Sequence, residues 1–163
     1  MTQGPAVAVL AVQPDSAEGR AVLTAYFADI VGRYHRRQAT SAEVAEAMLA
    51  EPSDDLTPPT GLLLVARQDG IVIGCAGLRL LTGGIGEVTR LYVAPAARRR
   101  GVGRRLLTAI EDQARGRGLH LLRLDTRSDL TEARRLYATS GYRAADPFSE
   151  GHHIDHWFQK SLA

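Results

Sequence analysis

The sequence contains very little cysteine, and this scarcity excludes one way of holding a fold together. Cys75 is the only cysteine among 163 residues, so no disulfide can form within the chain. A chain without disulfides suits a reducing compartment, and we expect a cytoplasmic protein. Its apolar runs are far shorter than the roughly 20 residues that span a bilayer, so we expect no membrane partner.

An excess of one charge is also missing. The formal net charge is +2, from 20 basic and 18 acidic residues, which gives no overall field to attract nucleic acid. A basic nucleic-acid module is therefore disfavoured, since the chain also lacks a recognisable RNA- or DNA-binding motif. A length of 163 residues is typical of one domain, so residues 1–163 are predicted to form a single domain.

Hydrophobic periodicity predicts an α/β protein in the order β-α-α-β-β-β-α-β-α-β-β, with a mixed central sheet flanked by helices. The predicted strands are Ala6–Val12, Leu62–Arg67, Ile71–Leu80, Gly86–Val93, Leu119–Thr126, Tyr142–Ala145 and Ile154–Leu162. The first three predicted helices are Ala17–Tyr34, a second from Thr40 or Ser41 to Ala50, and Gly101–Arg115. The last predicted helix begins after Asp129 as its cap, with Glu132 as the capping-box partner, and ends at Gly141.

The most informative segment follows the strand that ends at Val93. Its pattern is Arg98-x-x-Gly101-x-Gly103, directly before a helical pattern. Glycines let a backbone approach a ligand, and a helix N-terminus offers free N–H groups to an anion. Arginines at that end oppose the helix dipole, a conflict that a bound polyanion would remove. The segment lacks the third glycine of a dinucleotide fingerprint and the Gly-Lys-Ser/Thr ending of a P-loop.

A second segment lies downstream, where Ala133, Leu136, Tyr137, Gly141 and Tyr142 form an Ala-x-x-Leu-Tyr-x-x-x-Gly-aromatic pattern. Together the two segments resemble the GNAT superfamily of N-acyltransferases, over roughly residues 71–143. The first 70 residues match only in general outline. The resemblance implies a GNAT-like fold, acetyl-CoA as the acetyl donor, and two central strands that splay apart to admit the pantetheine arm.

The resemblance also assigns residues to the cofactor. Backbone groups of the strand end would pair with the pantetheine amides, and the glycine-rich turn would hold the pyrophosphate. Arg98, Arg99 and Arg104 are the expected side-chain contacts, while Arg105 is expected in solvent. The predicted cofactor-binding set is Leu91, Tyr92, Val93, Arg98, Arg99, Arg100, Gly101, Val102, Gly103, Arg104 and Tyr137.

The same resemblance gives Tyr137 the role of general acid toward the departing CoA thiolate, although a core aromatic would also suit the position. Glu87 matches the base of some members, whereas others use a remote carboxylate or a water chain. A solvent-facing strand residue is the alternative for Glu87. Many members carry Asn where this chain has Leu130, so one cofactor or helix-cap contact is missing or differently supplied.

The predicted function is acetyl transfer from acetyl-CoA directly to an amine. The acceptor pocket is expected between the first two helices and two long loops, Pro52–Thr60 and Ala145–His153. Acidic side chains there favour a small cationic amine as the acceptor; they are Asp54, Asp55 and Glu150. A protein or peptide acceptor, a CoA-binding regulatory domain without turnover, and a homodimer all stay open.

Three histidines near the C-terminus resemble a metal cluster at first sight. His152, His153 and His156 have no acidic or cysteine partner at a recognised ligand spacing. No metal is therefore expected. A role in the loop that lines the acceptor pocket fits these histidines better.

Overall fold

The computed structural model describes residues 6–151 and 153–163, and its elements follow the predicted order. The strands are β1 (Val7–Val12), β2 (Gly61–Gln68), β3 (Ile71–Leu80), β4 (Ile85–Val93), β5 (Leu121–Thr126), β6 (Arg143–Ala144) and β7 (His156–Ser161). The helices are α1 (Ala17–His35), α2 (Ser41–Ala50), α3 (Val102–Gly116) and α4 (Thr131–Thr139), with a 3-10 turn at Pro95–Ala97 before α3. The predicted fold class is confirmed. No helix in the described part of the chain is both long and apolar enough to cross a membrane.

Two helices begin at the capping residues that the sequence predicts, and a third does not. Ser16 caps α1, and Thr40 forms a capping box with Glu43 at the start of α2. The predicted cap of α4 by Asp129 is wrong, because Leu130 occupies that position without a side-chain hydrogen bond. The carboxylate of Asp129 instead accepts two hydrogen bonds, of 2.9 and 2.8 Å, from the guanidinium of Arg127. A bidentate charged donor is a stronger partner than a backbone N–H.

The sheet has seven strands in the order β1-β2-β3-β4-β5-β7-β6, and only the β4–β5 pair is parallel. That pair is short, because it joins 85–87 to 121–123 and no further described residues of the two strands. The rest of β4 and of β5 therefore diverge, which confirms the predicted splay. A gap opens in the middle of the sheet, at the carboxyl ends of the two strands.

A bulge in β4 lies next to this gap. Cys75 pairs with Tyr92 and Gly77 with Thr89, so β4 uses one residue more than β3 between these pairs. Arg90 lies inside the bulge with φ of 55°, in the left-handed region. The bulge reverses the alternation of side chains, so Leu91 packs with the core under α3 while Tyr92 packs with the core under α1.

Each face of the sheet has its own core. Helices α3 and α4 pack on one face with a cluster that includes Leu106, Ile110 and Tyr137. Helix α1 packs on the other face, where Val22 and Leu23 meet the second cluster. The gap between β4 and β5 is therefore bordered by α1 on one side and by α3 and α4 on the other.

A buried carboxylate ties the end of α4 to the sheet. Glu111 of α3 is 6% exposed and accepts hydrogen bonds from the Tyr142 hydroxyl at 2.9 Å and the Lys160 ammonium at 3.0 Å. The Lys160 ammonium also donates to the carbonyl of Ser140, just after α4. The ring of Tyr142 packs edge-on against Tyr137. This network therefore fixes the position of Tyr137.

We expect Glu111→Ala to lower the free energy of unfolding by about 3 kcal/mol, because it leaves the Lys160 charge and the Tyr142 hydroxyl without their buried partner. Denaturant titration followed by circular dichroism measures the change. Asp112→Ala is the matched control, since the neighbouring Asp112 side chain is 70% exposed and pairs with the exposed Arg115. A loss for Glu111→Ala no larger than for the control would contradict this role.

Candidate active site

A groove of about 950 Å³ lies at the carboxyl end of β4, where β5 has diverged from it. The end of β4, the turn before α3 and the first turn of α3 form one wall, and α4 forms the other. Most of the predicted cofactor residues line it, namely Leu91, Tyr92, Val93, Arg98, Arg99, Gly101, Val102, Gly103 and Arg104. Arg100 and Tyr137 are not part of this lining.

The turn before α3 has the backbone geometry of an anion site. Arg99 and Gly101 have φ of 65° and 77°, so the chain turns sharply into the helix. Gly101 is the N-cap and supplies no side-chain hydrogen bond. The first N–H groups of an α-helix have no intrahelical acceptor and carry its positive dipole end. Those of Val102, Gly103 and Arg104 are therefore available at the wall of the groove.

The arginines of this turn have different roles. Arg98 donates to the carbonyl of Val93 at 2.9 Å and to Asp29 at 3.2 Å, so it braces the turn from within. Arg104 contacts Thr139 of α4 at 3.1 Å, across the groove. Arg100 bonds to a backbone carbonyl of the same turn, away from the groove. Arg99 is exposed, and no partner for its side chain occurs in the described part of the chain.

Three residues of α1 that were not predicted as site residues also line the groove, namely Asp29, Ile30 and Arg33. Asp29 pairs with both Arg98 and Arg33, and Arg33 pairs in turn with Glu132 of α4. This chain of ion pairs joins the turn before α3 to α1 and α4. The spacing of Asp29 and Arg33 indicates an i,i+4 pair in the sequence, but their partners on the other elements have no local signal.

Tyr137 lies on α4 next to Leu136, which lines the groove, and its own side chain is buried in the core. It is 6% exposed, and its ring packs against Tyr142 and Phe158 at 5.9 and 6.0 Å between centroids. Burial raises the pKa of Tyr137 well above its ordinary value, and the phenol of Tyr26 and the carboxylate of Asp125 add to this. The hydroxyl therefore keeps its proton at neutral pH, and no described residue hydrogen-bonds to it.

The opposite side of the gap carries a second tyrosine. Burial raises the pKa of Tyr26 on α1 to about 12, despite the nearby guanidinium of Arg90. Arg90 lies 5.7 Å from the Tyr26 ring centroid and 5.0 Å from that of Phe27. Its three hydrogen bonds go to uncharged oxygens, on Ser53, Thr89 and the Glu51 backbone. No local pattern in the sequence indicates that this arginine is buried at the gap.

Glu87 is held by a cation. Arg79 donates to it at 3.1 Å and to Asp55 at 2.7 Å, so a single guanidinium joins the two carboxylates. Glu87 does not line the groove. Its role as the base stays a prediction.

The remaining predicted residues lie at the edges of the site. Leu130 lines the groove at the N-cap position of α4 and makes no side-chain hydrogen bond there. His156 contacts the Ser128 hydroxyl at 3.0 Å, and the ring of His153 lies 4.2 Å from that of Tyr34. His152 lies outside the described residues. Within 6–151 and 153–163, no group of His, Cys, Asp and Glu is arranged to hold a metal ion.

Relatives match more than half of this chain. An IAA acetyltransferase of Azospirillum brasilense is 44% identical over 94 residues, which are 57% of this chain and 61% of that protein. An aminoglycoside N(6')-acetyltransferase type 1 of Klebsiella aerogenes is 30% identical over 112 residues, 64% of this chain and 71% of that protein. The chain thus spans about three fifths of the length of the first relative.

Solved structures match over nearly the whole chain. A GNAT-family acetyltransferase of Staphylococcus aureus has a TM-score of 0.79 at 14% identity and covers 97% of this chain and 100% of that one. The PaiA N-acetyltransferase of Thermoplasma acidophilum, solved with coenzyme A, has a TM-score of 0.75 at 15% identity, with 96% and 99% covered. At these identities the likeness concerns the fold. The model of the acetyltransferase (GNAT) family matches residues 25–142, and the chain therefore belongs to that family.

Proposed function

We propose that this protein transfers an acetyl group from acetyl-CoA to an amine, as one domain spanning residues 1–163. The observation that carries the proposal is the gap between β4 and β5, with the glycine-rich start of α3 on one side and α4, which carries the buried Tyr137, on the other. Family membership supports acetyl-CoA as the donor. The donor would bind in the groove and the amine would arrive from the side of α1.

The cofactor's pyrophosphate would sit on the first-turn N–H groups of α3, with Arg99 and Arg104 as side-chain contacts. Arg98 would contribute to cofactor binding indirectly, because its hydrogen bonds hold the turn in place. The pantetheine arm would lie along Leu91–Val93 and pair with the backbone as an added strand, because β5 has diverged there. Arg100 would remain outside this site, since its side chain bonds within the turn.

The transfer itself needs two proton movements. The acceptor ammonium first loses a proton, which Glu87 would accept through water because Arg79 occupies its carboxylate. The nitrogen lone pair then forms a bond to the thioester carbon, and a backbone N–H near Leu91–Val93 would stabilise the oxyanion. Collapse would break the C–S bond, Tyr137 would protonate the thiolate, and the new amide nitrogen would release its second proton, which returns through solvent to the phenolate of Tyr137. The products are an N-acetyl amine and CoA.

We propose a small cationic amine as the acceptor. Asp54 and Glu150 are exposed on the two loops beside the gap and supply negative charge there. Asp55 contributes less, because Arg79 neutralises it. A thiol-release screen with acetyl-CoA and a library of amines tests the function as a whole. Binding of acetyl-CoA without turnover of any amine would instead favour a CoA-binding regulatory domain.

The cofactor site is tested by Gly103→Glu. A side chain there enters the groove wall, where an added Cβ already lies 3.1 Å from Leu136, and its charge repels a pyrophosphate. We expect acetyl-CoA affinity, measured by calorimetry, to fall on the order of 100-fold. Thr108→Glu adds the same charge to an exposed position of α3 and should leave affinity unchanged. Tight binding by a folded Gly103→Glu protein would refute the site.

The role of Tyr137 is tested by Tyr137→Phe. Removing the proton donor should lower kcat on the order of 100-fold while the Kd of acetyl-CoA stays the same. Tyr142→Phe is the matched control, because it keeps the ring that packs against Tyr137 and loses only the hydrogen bond to Glu111. It should reduce stability and spare kcat. Unchanged turnover by Tyr137→Phe would leave water as the acid.

The charge of the acceptor loops is tested by combining Asp54→Asn with Glu150→Gln, which leaves the Arg79 ion pairs intact. We expect a higher KM for the amine at low ionic strength, no change in KM for acetyl-CoA, and a smaller difference as salt screens the two charges. If the double variant has the same KM for the amine as the unmodified protein at low ionic strength, these loops are not part of the acceptor site.

A further inference from the structure

Asp125 lies on β5 at the gap, and nothing in the sequence pointed to it. β5 pairs with β4 only as far as Arg123, so Asp125 belongs to the part of the strand that has diverged. Its neighbours Leu124 and Thr126 are 1% and 7% exposed. Since side chains alternate along a strand, Asp125 points to the opposite face, toward α1.

The carboxylate of Asp125 is held in a fixed orientation. The Ser149 hydroxyl donates to its Oδ2 at 2.9 Å, and the indole N–H of Trp157 donates to Ser149 at 2.9 Å. An indole N–H only donates, so the single hydroxyl proton of Ser149 is directed to Asp125. Trp157 is also the strand partner of Asp125 on β7. This relay fixes one oxygen and leaves Oδ1 for another donor.

No cation within 6–151 and 153–163 forms an ion pair with this carboxylate. The two nearest arginines along the strand are used elsewhere. Arg123 stacks on the Phe148 ring at 4.4 Å, and Arg127 bonds to Asp129 and the carbonyl of Ile30. Glu87 and Asp55, by contrast, both have Arg79. A partly buried carboxylate without a cation is costly unless a ligand supplies one.

Its location matches the side from which the acceptor must approach. Burial raises the pKa of Tyr137 most, and the phenol of Tyr26 on α1 and the carboxylate of Asp125 raise it further. Arg127, two residues beyond Asp125, bonds to α1 one turn after Tyr26. Asp125 therefore lies between α1 and the 145–151 loop, near the hydroxyl that would protonate the thiolate.

We propose that Asp125 binds the ammonium group of the acceptor and holds its nitrogen toward the thioester. This inference rests on the proposed function and adds the acceptor's inner contact to it. Oδ1 accepts a hydrogen bond from the ammonium, while the Ser149–Trp157 relay keeps the carboxylate in place. The ligand class is a primary amine that arrives protonated. The loop charges attract it from solvent, and Asp125 fixes it.

The test begins with the unmodified protein, acetyl-CoA and four amines: spermidine, kanamycin, L-lysine and trialanine. The amine that is acetylated fastest is then used with Asp125→Asn, which keeps the shape of the side chain and an acceptor for Ser149. We expect KM for that amine to rise about tenfold or more, from the loss of a charged hydrogen bond, with the Kd of acetyl-CoA unchanged. The rise should persist at about 0.5 M salt, because a desolvated contact is little screened.

Asp146→Asn is the matched control, since it removes an exposed carboxylate from the same loop and should change neither constant. Ser149→Ala should raise the amine KM less than Asp125→Asn, because it frees the carboxylate without removing it. An amine KM within twofold of the unmodified protein for Asp125→Asn would overturn the inference and leave the proposed function intact. If the unmodified protein acetylates none of the four amines, both the inference and the proposed function are overturned.

Discussion

The divergence of β4 and β5 is the constraint on which the site depends. Two parallel strands pair over only three residues each and then separate, which leaves backbone groups without a partner in the middle of a sheet. Unpaired backbone in a protein interior is costly unless another polar chain replaces the missing strand. A pantetheine arm has the amides to do so, and the turn before α3 offers an anion site at the end of the same opening. The fold thus leaves a place for an extended ligand.

The bulge in β4 sets which of the two cores each side chain at the end of this strand contacts. By placing one extra residue at Arg90, it turns Leu91 toward the α3 core and Tyr92 toward the α1 core. It also buries the guanidinium of Arg90 against the rings of Tyr26 and Phe27. One irregular residue therefore sets both the backbone that borders the gap and the aromatic surface on its far side.

The carboxylates around the gap divide into two kinds. Asp29, Glu132 and Glu87 are all bound to arginines, and the first two join α1 to the walls of the groove. Such pairs hold elements in register, since breaking one leaves a partly buried charge without its partner. Asp125 is held instead by a neutral hydroxyl. This difference is the basis for the proposal that Asp125, and not the carboxylates paired with arginine, contacts the ammonium group of the acceptor.

The sequence by itself determined the element order, the turn at Arg98–Gly103 and the position of Tyr137, because periodicity, glycine and cap chemistry are local properties. The local pattern predicted the wrong cap at Asp129, because its carboxylate binds the guanidinium of Arg127 and not the N–H groups of the helix N-terminus. Only the tertiary structure decided that Glu87 is paired with Arg79, that Arg98 is a brace, and that Arg90 and Asp125 border the gap. These facts depend on which distant strands and helices meet, and the spacing of residues along a chain carries no record of such contacts.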